Sequence, residues 1–269
     1  MNAYGLIGSG AVSRSFLFRL PNKAQELGPI VSTSSRVASR IANSLRAGTA
    51  AKSVLELARV PVVLFCANPA SAGELEEILR AANLNWCKRC IVCCDTEISL
   101  APLRLQGAAV ASVNEIGIPG RFAVEGDPEA VKAARAIVRK LGGRSILLKS
   151  DAVELFHAGL TMGTALITPL IDRLAQVFRK AGVRDKTAME LASAMVEKTA
   201  KGFGHSGRQS WAWHIQAPDP ARLAAEEAAL RAATAFGDAF ESELMGALEA
   251  LGRHDEVLKK LRKTKLRVT

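Results

Sequence analysis

The sequence predicts an α/β domain with a doubly wound parallel sheet, followed by a domain that is entirely helical. Through the first 150 residues, short apolar runs alternate with segments of helical periodicity, which is the pattern of a parallel sheet flanked by helices. Residues 61–67 form a continuous apolar run, which is typical of a strand buried on both faces. We find no strand-like pattern beyond residue 150. We therefore predict a dinucleotide-binding α/β domain over residues 1–150 and a helical substrate-binding and dimerisation domain over residues 151–269.

The elements of the first domain follow from apolar runs and helix signals. The first run, residues 3–7, leads into a helical segment that is expected to end near Leu20. A capping pattern at Ser71 opens one helix, and Asp127 before a proline opens another that ends at Leu141. Further runs predict strands at 29–34, 61–67, 90–94, 108–113, 122–124 and 145–148, and periodicity predicts a helix at 37–46.

The second domain is predicted to consist of helices alone. Asp151 begins a capping pattern, and the helix that follows is expected to run to Lys180 with a kink at Pro169. The remaining boundaries are a helix from Asp185 to near Gly202, a helix from Asp219 and a break near Gly252.

Charge and hydropathy limit the partners that the chain can have. Hydrophobic residues make up 49% of it, but no apolar stretch reaches the ~18 residues of a membrane span, and the N-terminus lacks the pattern of a secretory signal. We therefore expect a cytoplasmic protein without a membrane partner. The net charge of +10 suits nucleic acid, an anionic membrane surface or a phosphorylated small molecule. Much of the excess lies in residues 259–267, which we interpret as a solvated tail rather than a phosphate-binding arm, and nucleic acid is not expected.

Five cysteines are crowded into one part of the chain: Cys66, Cys87, Cys90, Cys93 and Cys94. The spacing of residues 87, 90 and 93 occurs in metal and iron–sulfur sites, but a second ligand pair at zinc-site spacing is missing. Residues 90–94 also have the composition of a short buried strand, in which a free thiol packs as a small hydrophobic group. We therefore favour core packing over a metal site and predict no metal.

A glycine-containing turn after the first strand predicts a Rossmann-type dinucleotide site. The first glycine allows a tight turn, and the second lets the backbone approach a pyrophosphate that binds at the helix N-terminus. The third position is usually Gly or Ala and is a serine here. Because the turn follows a strand and precedes a helix, we favour a cofactor site over a glycine-rich turn without a ligand. The predicted cofactor-binding residues of this turn are Gly8, Ser9, Gly10, Ala11, Val12 and Ser13.

The end of the second strand distinguishes NAD from NADP. NAD sites usually carry an acidic residue there, which binds the ribose 2′-hydroxyl. This chain has Ser34, Ser35 and Arg36, whose hydroxyl groups and guanidinium suit a 2′-phosphate. A solvated arginine at a helix start is the alternative interpretation. We predict NADP as the cofactor, with NAD as the alternative, and expect Ala67 and Asn68 to lie against its nicotinamide half.

These motifs resemble those of Rossmann-like proteins whose C-terminal helical domain is similar to that of 6-phosphogluconate dehydrogenase. The group includes relatives of pyrroline-5-carboxylate reductase, ketopantoate reductase and the β-hydroxyacid dehydrogenases, and a bacterial subfamily whose C-terminal domain has no assigned function. The resemblance implies an NAD(P)-dependent oxidoreductase that forms a homodimer through its helical domain. It rests on the segments 8–13, 35–36, 111–114, 121–127 and 155–158.

The resemblance is closer at the cofactor site than at the substrate site. The subfamily usually has His-Pro where this chain has Asn114 and Glu115, and it has an Arg-Gly-Asp segment where this chain has residues 204–210. His214 does match. The cations and indoles of residues 202–214 suit either an anionic ligand or a helix–helix interface.

The first helix after the sheet carries most of the candidates for catalysis. In the β-hydroxyacid dehydrogenases a lysine on this helix serves hydride transfer, and this chain has no lysine there. His157, Thr161 and Thr164 lie instead at i, i+4 and i+7 on one stripe, and Asn114 would complete the pocket. A packed core histidine is the alternative for His157. Because the linker near Ser150 is short, we expect this helix to line the cofactor cleft with His157 facing the nicotinamide.

Two classes of function stay open at this point. The first is an oxidoreductase that transfers hydride between a nicotinamide cofactor and a small anionic substrate, either a carboxylated carbonyl compound or an imine. The second is a non-catalytic dinucleotide-binding sensor or scaffold with a degraded substrate site. Turnover of NADPH with a small substrate distinguishes the two.

Overall fold

The computed structural model describes residues 3–9, 15–94, 99–104, 107–149, 152–207, 219–236, 240, 242–244 and 246–247. The chain folds into two compact units, Met1–Ala158 and Gly159–Thr269. The boundary expected from the sequence, near residue 150, lies within the first unit. Among the described residues, no helix is long and apolar enough to cross a membrane.

The first unit contains an eight-stranded sheet. Its strands are β1 (Tyr4–Gly8), β2 (Leu27–Val31), β3 (Thr49–Ala50), β4 (Val62–Cys66), β5 (Cys90–Cys93), β6 (Ala109–Glu115), β7 (Arg121–Gly126) and β8 (Arg144–Leu147). They lie in the order β3-β2-β1-β4-β5-β6-β7-β8, and neighbours are parallel except for β6 and β7. This strand order, with its reversal beside β1, is that of a doubly wound Rossmann sheet and confirms the predicted fold class.

The antiparallel pair of β6 and β7 departs from the predicted all-parallel sheet. Only residues 116–120 connect the two strands, whereas a parallel pair needs a crossover of about a dozen residues or more. Gly117 and Gly120 have φ angles of +76° and +70°, which close the turn. Because β8 is parallel to β7, both strands run opposite to β1, β4, β5 and β6. The last residue of β8, Leu147, pairs with Val124, and the register through β6 and β5 places it level with the carboxyl ends of β1 and β4.

Four α-helices pack with this sheet: α1 (Lys23–Glu26), α2 (Ser35–Leu45), α3 (Pro69–Ala81) and α4 (Pro128–Lys140). Helix α2 begins two residues before the predicted start at 37 and ends one residue before the predicted end at 46, and two further boundaries differ for a physical reason. The helix expected before Leu20 is, in its described part, a 3₁₀ turn at Phe16–Arg19. The helix expected from Ser71 begins two residues earlier at Pro69, because Asn68 caps it and a proline suits the first helical position.

Alternate residues of the central strands fill a separate core on each face of the sheet. On one face, Leu6 and Leu64 pack in a cluster with residues of α2 and α4. On the other face, Ile7 and Phe65 pack in a cluster with residues of α3 and with the fully buried Trp86. This alternation is what parallel strands covered on both faces require.

Four of the five cysteines are buried in these two cores, as the packing interpretation predicts. Cys66, Cys90 and Cys94 belong to the cluster of Leu6 and Leu64, and Cys93 belongs to that of Phe65. Burial raises the pKa of the Cys90 thiol to about 11, so this thiol stays protonated at neutral pH.

In the described part of the chain after the sheet, the helices are α5 (Val153–Thr164), α6 (Ile167–Lys180), α7 (Asp185–Ser206) and α8 (Pro220–Ala233). The single helix predicted up to Lys180 is two helices, which are separated at residues 165–166 rather than kinked at Pro169. Pro169 lies in the first turn of α6, where a backbone N–H has no partner within the helix. Helix α7 continues to Ser206, past the end expected at Gly202, and the break expected at Gly252 lies outside the described residues.

In the second unit, α6 packs against α7. Ala175 of α6 and Ala188 and Ala192 of α7 are completely buried, so small side chains lie at the closest approach of the two helices. The described elements of the second unit are helices, as the sequence predicts for this part of the chain.

Candidate functional site

The carboxyl ends of β1, β4, β5 and β6 meet at one edge of the sheet. Gly8 lies beside Cys66 in the parallel register, Phe65 lies beside Cys93, and Cys93 lies beside Ser112. In doubly wound sheets, ligands bind at this edge, where the order of the strands reverses. The geometry therefore identifies the edge at which a functional site is expected.

The described part of the predicted cofactor turn is anchored at this edge. Gly8 and Ser9 are buried, and the backbone N–H of Ser9 donates to the carbonyl of Cys66 at 3.0 Å. The Ser32 hydroxyl donates to the carbonyl of Gly8 at 2.6 Å, and Ser9 Oγ lies within hydrogen-bond distance of Ser71 Oγ, at 2.8 Å. The ends of β2 and β4 and the first turn of α3 thus hold the entry to the turn. The other residues predicted for this turn, Gly10, Ala11, Val12 and Ser13, lie outside the described residues.

The residues after β4 lie beside this anchor. Ala67 is fully buried, and Asn68 is exposed as the N-cap of α3. Asn68 Oδ1 accepts hydrogen bonds from the backbone N–H of Ser71 at 2.9 Å and from its hydroxyl at 2.7 Å. The side-chain amide oxygen of Asn68 therefore caps the N-terminus of α3.

The residues after β2 form a polar, solvent-facing helix start. Ser34 is the N-cap of α2 and its hydroxyl accepts a hydrogen bond from the backbone N–H of Val37 at 3.3 Å. Ser35 and Arg36 occupy the first turn of α2, and both are exposed. Arg40, one helical turn later, is exposed as well. Hydroxyl groups, a guanidinium and a helix N-terminus are all suited to an anion such as phosphate.

A polar cavity lies at the ends of β5 and β6. Its volume is about 330 Å³. Of the predicted catalytic residues, Asn114 lines it. The other lining residues, which no sequence motif indicates, are Ser15, Phe16, Arg19, Cys94 and Glu115.

The two charged residues of this cavity form an ion pair. Arg19 Nη1 and Nη2 donate to Glu115 Oε1 and Oε2 at 3.2 and 2.5 Å. The hydrogen bond from Arg19 lowers the pKa of the Glu115 carboxyl, to which the backbone N–H of Gly120 also donates at 3.1 Å. The pair fastens the segment after β1 to the end of β6, and no sequence pattern indicates this contact between residues 96 positions apart.

His157 lies on α5, close to charged groups of the sheet. The register places the end of β8 level with the carboxyl ends of β1 and β4, and the expectation that a short linker keeps α5 at this edge stays a prediction. The neighbours of His157 include Glu125 of β7, whose pKa is raised by burial and by Glu154 and lowered by Ser112, Arg104 and His157. Glu125 therefore lies close to both Glu154 and His157 of α5.

The other predicted residues of α5 lie in the second unit. Thr161 and Thr164 are exposed, and the Thr164 hydroxyl donates to the carbonyl of Leu160 at 2.7 Å. At the end of α7, His205 Nδ1 lies 2.8 Å from the carbonyl oxygen of Lys201. The rest of the segment that is rich in cations and indoles, residues 208–214, lies outside the described residues.

Comparison with known proteins identifies similar folds. Residues 121–210 match a family model described as a domain of unknown function, DUF2520. No curated protein matches the chain. Among solved structures, the chain is similar to protein TM1727 from Thermotoga maritima, with a TM-score of 0.66 and 16% identity over 97% of this chain and 100% of that one.

Two further similar structures are reductases. One is a pyrroline carboxylate reductase from Plasmodium falciparum with NADP bound, with a TM-score of 0.55 and 14% identity over 95% of this chain and 97% of that one. The other is a variant of the imine reductase from Myxococcus stipitatus in complex with NAD⁺, with a TM-score of 0.61 and 16% identity over 96% and 99%. At these identities the likeness establishes the fold: a Rossmann-type sheet followed by a helical region, as in these reductases.

Proposed function

We propose that the protein is an NAD(P)-dependent oxidoreductase that acts on a small carboxylated carbonyl compound or imine. The observation that carries this proposal is the arrangement of the carboxyl edge. There, the anchored turn at Gly8 and Ser9 shares the edge with a polar cavity at the ends of β5 and β6. A cofactor that enters over the turn would have its nicotinamide end near the cavity, as is usual for this fold.

The residues present fit a dinucleotide. The turn of residues 8–13 would hold the pyrophosphate, and Ala67 and Asn68 would lie against the nicotinamide half. Ser34, Ser35 and Arg36 would hold a 2′-phosphate, because all three are exposed donors at the start of α2. We propose NADP as the preferred cofactor and NAD as the alternative. The similar structures that contain NADP or NAD⁺ support this choice.

The bound cofactor supplies a hydride, and the chain has to bind the substrate and move a proton. Asn114 lines the cavity and can donate an amide hydrogen bond to a carbonyl oxygen. The stripe of His157, Thr161 and Thr164 remains our proposal for the proton donor, with His157 as the general acid. The rate of turnover by a His157→Ala variant tests the role of His157 as proton donor separately from cofactor binding.

A non-catalytic sensor is the second candidate, and one observation favours it. The two charged groups of the cavity are bonded to each other, so neither is poised to transfer a proton to a substrate. In this case a dinucleotide would bind at the carboxyl edge without turnover.

The experiment combines binding with turnover. Thermal unfolding is measured with NADPH, NADP⁺, NADH and NAD⁺, and a ligand at about 100 times its Kd stabilises the folded state by about 2.7 kcal/mol. NADPH oxidation is then followed by its near-ultraviolet absorbance with 2-oxo acids and cyclic imines. Turnover supports the oxidoreductase, and stabilisation without turnover supports the sensor. If none of the four dinucleotides stabilises the protein, both candidates fail.

We also propose that the protein forms a homodimer through its second unit. Helix α7 exposes four large apolar side chains: Met189, Leu191, Met195 and Phe203. Their exposed fractions range from 39% to 51%, which is more apolar surface than a helix of a monomer usually presents. A second copy of the chain is the partner that we propose for this face.

A further inference from the structure

We propose that Arg19 binds an anionic group of the substrate, and that Glu115 holds its guanidinium in place for this purpose. The proposal rests on the proposed function for the position of the substrate, and it names the chemical group that the cavity recognises. Among the described residues that line the cavity, Arg19 is the one cation. An anionic substrate that enters the cavity therefore meets a single group able to compensate its charge.

The contact with Glu115 leaves part of the guanidinium available. A guanidinium carries five N–H donors in a plane, and the bidentate contact uses one hydrogen of Nη1 and one of Nη2. The Nε–H and the outer hydrogen of the neighbouring Nη form a second edge, which can bind another carboxylate in the same plane. The side chain of Arg19 is 54% exposed, so a small molecule in the cavity can reach it.

Glu115 is a firm anchor for this arginine. Its side chain is 27% exposed, half the fraction of Arg19, and the N–H of Gly120 fixes one of its oxygens. Because the hydrogen bond from Arg19 lowers its pKa, Glu115 is ionised throughout the neutral range. The guanidinium is therefore held in one orientation before the substrate arrives, which reduces the entropy lost on binding.

The neutral total charge of the pair determines which anions it selects. Its long-range field is weak, so recognition depends on the directed hydrogen bonds of the second edge rather than on charge alone. Planar carboxylates can use both hydrogens of that edge, whereas a lysine at position 19 would offer a point charge without the planar fork. The second edge of the guanidinium thus favours substrates that carry a planar carboxylate, and we predict that Arg19→Lys does not replace Arg19.

The test uses two pairs of probes that differ only in the carboxylate. Binding of pyrrole-2-carboxylate and of pyrrole to the NADP⁺-saturated protein is measured by titration calorimetry for wild type, Arg19→Gln and Arg19→Lys. Steady-state reduction of 1-pyrroline-2-carboxylate and of 1-pyrroline by NADPH gives kcat and KM for each imine. The control is Lys140→Gln, which breaks the exposed ion pair of Lys140 with Glu26, outside the cavity.

We expect both Arg19 variants to bind pyrrole-2-carboxylate with a Kd about tenfold higher or more, through the loss of a charge-assisted contact. The KM for the carboxylated imine should rise by a similar factor, with a smaller change in kcat. The control variant and the carboxylate-free probes should be unaffected. Circular dichroism verifies that the variants fold. Equal Kd values for wild type and Arg19→Gln overturn the proposal, and so does a wild type that does not bind pyrrole-2-carboxylate.

The two proposals fail in different ways. Binding of pyrrole-2-carboxylate that depends on Arg19, without any NADPH oxidation, supports the anion site and contradicts the oxidoreductase. Imine reduction with a KM that is the same in Arg19→Gln supports the oxidoreductase and contradicts the role of Arg19.

Discussion

Glu125 is a partly buried carboxyl group with acidic and basic neighbours. It follows the middle of β7, and the Ser112 hydroxyl donates to it at 3.5 Å. Burial is the main cause that raises its pKa, and Glu154 raises it further. A raised pKa means that the folded state binds a proton more tightly than the unfolded state does. The ionised carboxylate therefore lowers the free energy of unfolding above the usual carboxyl pKa.

This linkage predicts a pH-dependent effect of Glu125→Gln. The variant should unfold at a higher temperature than wild type at neutral pH, because glutamine carries no charge to desolvate. The difference should shrink as pH falls through the raised pKa and vanish below the usual value of 4.5, where wild type is also protonated. Melting curves over the acidic to neutral range measure it, with the exposed Glu74→Gln as control. A gain that is the same at all pH values contradicts the assignment.

Arg36 is the residue on which the choice of cofactor depends. It is exposed in the first turn of α2, whose N-cap is Ser34. We predict that Arg36→Ala weakens NADPH binding by about 1.5–3 kcal/mol, roughly 10- to 150-fold in Kd, and leaves NADH binding nearly unchanged. Fluorescence titration with the two cofactors measures this, with Arg139→Ala on α4 as control. Equal losses for NADPH and NADH would rule out a 2′-phosphate contact.

For single residues, the sequence predicts the position of a side chain that directly follows a strand or a motif. It does not predict a contact between residues that are far apart in the chain and meet only in the fold. Ser34, Ser35 and Arg36 follow a strand directly, so their place at its carboxyl end is predictable. Arg19 and Glu115 are far apart in the chain, and their pairing depends on the position of the segment after β1. The chain carries no local pattern for such a contact.

Among the elements, the connection between β6 and β7 determines the direction in which β7 and β8 run. Its five residues, 116–120, are too few for a crossover, and this length can be read from the sequence. Interpreting the strand at 122–124 as one more parallel strand reverses the direction of β7, and with it that of β8. Periodicity predicts that a strand exists, but only the length of the connection indicates its direction.

The end of β7 supplies a test of this register. Gly126 has a φ of +125°, and a Cβ at this position would lie 2.2 Å from the Val110 carbonyl oxygen and 2.5 Å from Ala111 Cα. We predict that Gly126→Ala lowers the free energy of unfolding by at least about 2 kcal/mol, because both the backbone strain and the clash oppose it. Urea denaturation measures the change.

Gly73 is the matched control for this substitution. It lies within α3, and a Cβ there would have no neighbour within 4 Å. Gly73→Ala should therefore stabilise the protein by about 0.5–1 kcal/mol through helix propensity. Similar effects of the two substitutions would contradict the register of β6 and β7.

For the whole molecule, the proposed dimer predicts a definite mass. Light scattering should give twice the chain mass of 28.6 kDa. Met195→Asp places a charge on the exposed apolar face of α7, where Met195 is 47% exposed, and should shift the protein towards the monomer. Lys186→Asp at the start of α7 is the control, because Lys186 is 92% exposed. A wild type that is monomeric at micromolar concentration excludes the dimer.

The reactivity of the cysteines can be used to follow unfolding, because four of the five are buried in the folded protein. Cys87 is exposed, while the other four thiols lie in the two cores at β4 and β5. A chromogenic disulfide reagent should therefore react at once with one thiol per native chain and with all five after denaturation. The slow appearance of the remaining four gives the rate at which the centre of the sheet opens. A Cys87→Ser variant lacks the exposed thiol, so its reaction with the reagent reports only the buried thiols. The rate of this reaction, measured with and without a dinucleotide, shows whether the cofactor slows the opening of the sheet.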